Sequence, residues 1–464
     1  MRIEIMADSE CLEATCAILT RMPDHDSLGT KLRARMRGPI VLPGDANYAS
    51  LRLVWNRRID RRPLLIARCL GLTDVIEVIR FAQERGVAMT IRAGGHSLSG
   101  SCVMDDAVML DLSLMKHVSV DPARRRAVAQ PGATWGDFDR QTQVHSLATT
   151  GGVRSNSGIA GLTLGGGMGW LMGKHGLVCD NLVSADVIDA SGQRLTASAE
   201  ENSDLFWAIR GGGGNFGVVT AFEYQLHPLT SVYAGVFLYA KQQAFDVLHQ
   251  YCDLTAKAPD ELTAYALLMC SPKNTPFVGV ALCHVGPSPE NDVAPFRSAA
   301  SLITDSVDWK LYTEHQTALD FTTPKGLQYH ERCVPLTELT DEALRTILHY
   351  GETAPTPQTS ILLEHIHGNA SLIPIQSTAF ALRRNPYRLN IVAAWQDPIL
   401  TDRCVAWTRA FAANMQRFAI SDTYGPNHTR LSQLKLIYDS ENLFRGNPNI
   451  FPQRFTKGTG GTAI

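Results

Sequence analysis

The stretch Arg92-Ala-Gly-Gly-His96-Ser-Leu-Ser-Gly100 sets one imidazole on a turn between two small, flexible runs. Just before it, Val87-Ala-Met-Thr-Ile91 is apolar and β-branched, the composition of a buried strand. Gly94 and Gly95 can take backbone angles closed to other residues and let a ligand approach to van der Waals distance. His96 then stands at the tip of a turn rather than on a helix face, flanked by the hydroxyls of Ser97, Ser99 and Ser101. Backbone N–H groups in such a turn form a concavity suited to a phosphate-bearing cofactor.

Two further glycine clusters would complete the same pocket. Thr149-Thr-Gly-Gly-Val-Arg154-Ser-Asn-Ser-Gly158-Ile-Ala-Gly-Leu-Thr-Leu-Gly165-Gly-Gly-Met-Gly-Trp170 fits neither an amphipathic helix nor an alternating strand. Its pattern is that of a backbone laid along a ligand, where side chains would only block the approach. In the second cluster Gly212, Gly214 and Gly217 satisfy G-x-G-x-x-G, but that dinucleotide fingerprint needs a strand before it and a helix after it. Here Asp204-Leu-Phe-Trp-Ala-Ile-Arg reads as a helix and Val218-Val-Thr-Ala-Phe-Glu-Tyr as a strand. The order is reversed, which excludes a Rossmann reading.

Composition narrows the class. A chain of 464 residues is too long for one ordinary core, so two domains are expected. Hydrophobic residues at 45 % and charged residues at 19 % fit a globular protein. A formal net charge of −2 provides no basic field, which argues against nucleic acid as the main partner. No apolar run reaches membrane-spanning length, and the first residues lack the uninterrupted apolar core of a secretory signal. The 10 cysteines are scattered, without a Cys-x-x-Cys pair or zinc-type spacing, so free thiols in a reducing cytoplasm are the expectation.

Along the chain, residues 1 to about 40 read as one or two short helices, and Arg33–Arg37 and Arg57–Arg62 as solvated basic faces. A strand follows Pro63, then a helix from Thr73, its cap, with Val75, Val78, Ile79 and Ala82 on one face. Short strands follow near 107–112, 118–121 and 126–130, with a helix over Trp135–Val144. After Pro228 the composition shifts. Strands at Val232–Tyr239, Phe277–Val285, Ser360–His365 and Leu389–Trp395 alternate with helices near 242–256, 291–302 and 340–350, the last capped by Thr340. This predicts an α+β protein whose second domain is an antiparallel sheet covered by helices. Thr408–Ile420 and Arg430–Asp439 read as helices, and the end after Phe455 as frayed.

Taken together, the motifs resemble one family, the FAD-linked oxidases of the vanillyl-alcohol-oxidase and p-cresol-methylhydroxylase type, in their berberine-bridge-enzyme-like branch. The matching pieces are Arg92–Ser97, Gly161–Trp170, His175-Gly-Leu-Val-Cys-Asp-Asn181 and Leu205–Gly217, with Tyr424-Gly-Pro-Asn427 and Tyr438–Asn447 near the end. The resemblance implies a PCMH-type FAD-binding domain over residues 1–228, a substrate domain over 229–420, and a segment 421–464 returning to the first. It implies FAD bonded covalently through His96 alone. The position where some members carry a second, cysteine link is Arg154, which cannot form a thioether. Neutral imidazole is a good nucleophile toward the flavin methyl carbon, and the bond makes a flavin a stronger oxidant.

The cofactor-binding set implied is Arg92, Ala93, Gly94, Gly95, Ser97 and Leu98 around His96, then Gly132, Gly152, Ser157 and Gly158. It continues through Gly161, Gly165, Gly166, Gly167, Gly169 and Trp170 to Gly176, Leu177, Gly217, Val218, Val219 and Asn447. The implied activity is hydride transfer from an alcohol, sugar or secondary-metabolite substrate, with O2 as acceptor; the small Ser157 favours an oxidase. A dehydrogenase using another acceptor, or a flavoprotein that has lost activity, stays open, because the family's aromatic-x-Asn segment is missing between Trp407 and Tyr424. In its place Glu364, His365 and His367 are candidate bases, with alternation setting His365 and His367 on one face and Glu364 on the other. Tyr329 is a further polar candidate, and Arg383-Arg384 reads as a solvated pair.

Overall fold

A computed structural model describes residues 25–270, 275–419 and 424–453. The expectations for residues 1–24 and for the end after Phe455 lie outside the described residues. The first sheet, of order β1-β2-β4-β3, is made by Ile40–Val41 (β1), Leu65–Arg68 (β2), Met89–Arg92 (β3) and Val108–Asp111 (β4). Both β2 and β3 run parallel to β4. Between β2 and β3 the helix Leu72–Arg85 buries Val75, Val78, Ile79 and Ala82, the face its spacing predicts. Thr73 does not cap it: the helix begins one residue earlier, after Gly71. Asp74 in its first turn accepts backbone N–H groups from Arg37 at 2.8 Å, Gly38 at 3.1 Å and Leu70 at 2.9 Å, tying the preceding chain to the positive helix end.

A second, wholly antiparallel sheet joins Val118–Asp121 (β5), Arg126–Ala129 (β6), Leu182–Ile188 (β8), Arg194–Ser198 (β9) and Val218–Gln225 (β10) in the order β5-β6-β10-β8-β9. The ribbon of Leu147–Ala148 (β7) with His227–Pro228 (β11) lies apart from it. Helix Trp135–Thr142 starts with a capping box between Thr134 and Asp137. Its Trp135 and Phe138 meet Tyr224 of β10 edge-on, with ring centroids 5.8 and 5.4 Å away. The order helix Ser203–Ala208, glycines, β10 matches the reversed arrangement read from the sequence.

The large sheet is built from Ser231–Ala240 (β12), Leu262–Cys270 (β13), Pro276–His284 (β14), Leu302–Asp305 (β15), Asp308–Leu311 (β16), Gln328–Leu336 (β17), Ser360–His365 (β18) and Tyr387–Trp395 (β19). Its order is β15-β12-β14-β13-β18-β19-β17, with β16 beside β15 on β12. Period-two alternation gives it two faces. Val334, Ile361, Leu363, Leu389 and Ile391 pack with residues of the helices Ala244–Thr255, Asp341–Glu352 and Thr401–Met415. On the other face Tyr265, Leu267, Ala281 and Cys283 pack against Trp170, Leu171 and Met172 of the glycine-rich segment. Thr340 caps its helix as predicted, accepting from the Ala343 N–H at 3.2 Å.

Two elements depart from the sequence reading. The glycine-rich run is not extended throughout, because Ile159–Leu164 forms a short helix. The helix predicted over Thr408–Ile420 is the second half of Thr401–Met415, which follows a turn capped by Asp397. The last described helix, His428–Tyr438, returns to the glycine turn, where Lys435 Nζ donates to the Asn215 carbonyl at 2.9 Å and to Asp439 at 2.6 Å.

Candidate active site

The three glycine stretches meet. A Cβ on Gly94 would lie 2.9 Å from the Gly158 Cα, so the two loops touch backbone to backbone and tolerate no side chain. Gly95 has φ +70°, a left-handed angle that favours glycine. Together they border a cavity of about 580 Å³. Ala93, Gly94, Gly95, His96 and Ser97 line it from the first loop, and Ser157, Gly158, Gly161 and Gly165 from the second. Gly217, Val218, Val219 and Asn447 line it as well. A Cβ on Gly161 would meet nothing within 4 Å, so bare backbone faces this space.

The remaining residues of the implied set do not line this cavity, and each has a packing role instead. Side chains on Gly132 and Gly169 would collide with the carbonyls of Leu112 and Gly151. Gly152 lies against Trp135 and Leu162; Gly166, Gly167 and Gly176 take left-handed angles against Phe380, Val178 and Asp180. Arg92 turns away to the Leu51 carbonyl, and Leu98 packs beside Trp55 and Tyr329. Trp170 sits on Tyr265 and His315, and Leu177 is wholly buried. A glycine needed for close chain packing and one needed for ligand approach look alike in a sequence.

His96 stacks on Trp55, with ring centroids 4.1 Å apart and planes 25° from parallel. Burial, with Arg154 and Lys325 nearby, pushes its pKa down to about 4. At neutral pH the imidazole is therefore uncharged, with a free nitrogen lone pair.

The sheet supplies the other wall. Glu364 and Leu362 share the face of β18 that packs toward Trp170. Glu364 accepts from Asn390 Nδ2 of the adjacent β19 at 2.7 Å. Arg388, also on β19, reaches the cavity. Its Nη1 and Nη2 lie 3.4 Å from Met168 Sδ and 3.2 Å from Cys333 Sγ. Glu331, on β17, is pushed toward its neutral form by burial, against the pull of Arg154 and Arg388. Arg154 Nε donates to the Thr322 hydroxyl at 2.9 Å, and the next residue, Ser155, bonds Asp320 through its N–H at 2.9 Å and its hydroxyl at 2.6 Å.

This geometry corrects the candidate bases. His365 shares its face with Ile361 and Leu363, under the helices, and stacks on His367 with centroids 5.2 Å apart. Burial holds its pKa down near 3, and neither ring lines the cavity. Glu364 shares the sheet face that meets Trp170, whereas His367 packs its Nε2 against Gly173, outside the cavity lining. Tyr329 is also committed, its hydroxyl donating to the Pro324 carbonyl. Arg383 is no solvated residue: it is 0 % exposed and clamps Asp180 at 2.8 and 2.5 Å, while Arg384 is exposed. The sequence reading missed Glu331, Cys333, Arg388 and Asn390. For the last two a signal existed, since Tyr387-Arg-Leu-Asn-Ile391 alternates apolar and polar residues.

Bare backbone from separate stretches, a cavity lined also by Phe380, Leu382 and Arg388, and a neutral imidazole in its lining suit a flavin-nucleotide oxidoreductase. Residues 63–198 match the model of the FAD binding domain, and residues 411–451 that of the berberine and berberine-like family. Over 424 residues the chain is 30 % identical to an FAD-linked oxidoreductase of Dictyostelium discoideum, covering 86 % of this chain and 91 % of the relative. The chain therefore belongs to the berberine-bridge-like FAD-linked oxidoreductases, and FAD is its cofactor. It is also 33 % identical over 284 residues to the (R)-6-hydroxynicotine oxidase of Paenarthrobacter nicotinovorans, over 60 % of this chain and 62 % of that one. Among solved structures, 6-hydroxy-D-nicotine oxidase from Arthrobacter nicotinovorans superposes with a TM-score of 0.82 at 27 % identity, over 90 % of this chain and 98 % of that one. The fold is shared as well by the BBE-like 1 protein of Physcomitrella patens, with a TM-score of 0.83 at 20 % identity over 92 % and 100 % of the two chains.

Proposed function

We propose that the protein is an oxidase that oxidises a small alcohol, sugar or secondary metabolite, with FAD tethered by a single bond at His96 and O2 as the acceptor. The observation that carries this reading is the neutral imidazole held between Gly95 and Ser97 at the cavity edge. Relatives named as oxidases support it: besides the nicotine oxidase, a chitooligosaccharide oxidase and a xylooligosaccharide oxidase share the fold. When bound, FAD supplies the two-electron acceptor that oxidises the substrate and passes electrons to dioxygen. The glycine loops hold the nucleotide by backbone contact, and Trp55 fixes the plane of the His96 ring. Arg154 offers no sulfur for a second link. Glu331 is the residue we assign to take the substrate proton, because register and alternation set it on the sheet face that carries the cavity-lining Arg388, and burial raises its affinity for a proton. Asn390 holds Glu364 on the same sheet face.

Acid precipitation tests the tether: yellow flavin should stay with the pellet of the parent protein and leave with the supernatant in His96→Ala. Flavin retained by that variant refutes the single link. Peroxide formed in step with substrate separates the oxidase from a dehydrogenase that uses another acceptor.

A further inference from the structure

We propose that the substrate carries a carboxylate, bound by the guanidinium groups of Arg388 and Arg154. The inference rests on the oxidoreductase reading of this cleft and names the substrate class that reading leaves open. Its basis is how these two half-buried arginines are left compared with Arg383 and Arg68. A guanidinium withdrawn from water needs anionic or strong hydrogen-bonding partners. Arg383 has them in Asp180 at 2.8 and 2.5 Å, and Arg68 has Asp111 at 3.1 Å.

Arg388 has no such partner. Its terminal nitrogens face two sulfur atoms, which are weak acceptors, and its Nε is buried with no partner. Glu364 stands directly across from it in the β18–β19 register, yet gives its carboxylate oxygen to Asn390. Arg154 is spent only at Nε, on the neutral Thr322 hydroxyl, and burial disfavours its charge. Neither arginine forms an ion pair within 4 Å among the described residues. Both lie in the field of the same two carboxylates, Glu331 and Glu364. Of these, Glu364 is held by Asn390, and Asp320, the further carboxylate near Arg154, is held by Ser155, so none of them closes on either guanidinium. An incoming carboxylate can take the bidentate donors that the sulfurs cannot satisfy.

The flavin-loaded protein is titrated with benzoate and with its neutral counterpart benzamide, following the visible flavin band. Benzoate should saturate the perturbation and bind at least about tenfold more tightly than benzamide. Arg388→Gln and Arg154→Gln should each weaken benzoate by about 10- to 100-fold, the worth of a hydrogen bond to a charged group, and leave benzamide unmoved. Arg388→Lys should recover part of the loss, and it carries the test together with Arg154→Gln if Arg388→Gln does not fold. Benzoate no tighter than benzamide, or unchanged in the folded variants, overturns the proposal. A colourless preparation counts against the flavin reading instead. The same titration, read through the intrinsic tryptophan fluorescence of the protein, then still decides the carboxylate.

Discussion

Replacing Asp139 by asparagine should make the protein more stable, and increasingly so as pH rises. Asp139 lies on the helix Trp135–Thr142 at 1 % exposure, and neither of its carboxylate oxygens has a hydrogen-bond partner. Tyr312, Gln316 and Arg140 are the polar groups around it, and Gln316 and Arg140 only partly offset the cost of burial. Burial therefore raises the pKa from 3.8 to about 8. The folded protein holds this proton more tightly than the unfolded chain does. Stability is thus complete below about pH 4, falls as pH rises toward 8, and is flat beyond. A shift of about four units corresponds to on the order of 5 kcal/mol lost by pH 8. Asparagine keeps the shape without the charge, but buries an amide that lacks partners, which costs about 1–3 kcal/mol. A net gain of roughly 2–4 kcal/mol at pH 8, shrinking to nothing or reversing near pH 4, is the outcome. Paired urea midpoints of the two proteins across this range measure it, since other titrating groups cancel in the difference. A difference that does not change with pH would refute the reasoning.

Other perturbations follow from the same contacts. Gly94→Ala drives a methyl group into the Gly158 backbone and should lower the ratio of visible flavin absorbance to protein absorbance well below that of the parent. Lys435→Met leaves the Asp439 carboxylate buried at 0 % exposure without its cation, and should cost about 3–5 kcal/mol, read as a lowered urea midpoint. Arg383→Met strips Asp180 of its guanidinium in the same way, with a loss of similar size by the same measurement. Raising pH from 5 to 8 should leave flavin attachment at His96 unchanged, because that imidazole, its pKa pushed down to about 4, is mostly unprotonated across the whole range.

Much of this architecture can be read from local pattern. The helix Leu72–Arg85 announces its buried face by spacing, Ser360–His365 falls on its predicted bounds, and the helix–glycine–strand order excludes the dinucleotide fold without coordinates. The parts that stayed hidden depend on partners distant in the chain. Gly166 packs against Phe380 and Arg383 pairs with Asp180, and nothing near either residue signals it. Alternation told His365 and Glu364 apart, but which face meets the cleft is decided by where the helices Ala244–Thr255 and Thr401–Met415 settle. The helix Ile159–Leu164 was masked because glycines on both sides conceal its period.

The Lys435 ammonium group pins the Asn215 carbonyl, and the Asn447 amide reaches the Gly214 carbonyl at 2.8 Å. One rim of the nucleotide cleft is therefore held by segments made late in translation, more than two hundred residues after the loop they secure. While the polypeptide is still growing on the ribosome, that rim lacks its clamp. A polypeptide truncated before the helix His428–Tyr438 lacks both contacts to this rim and should hold its flavin less firmly.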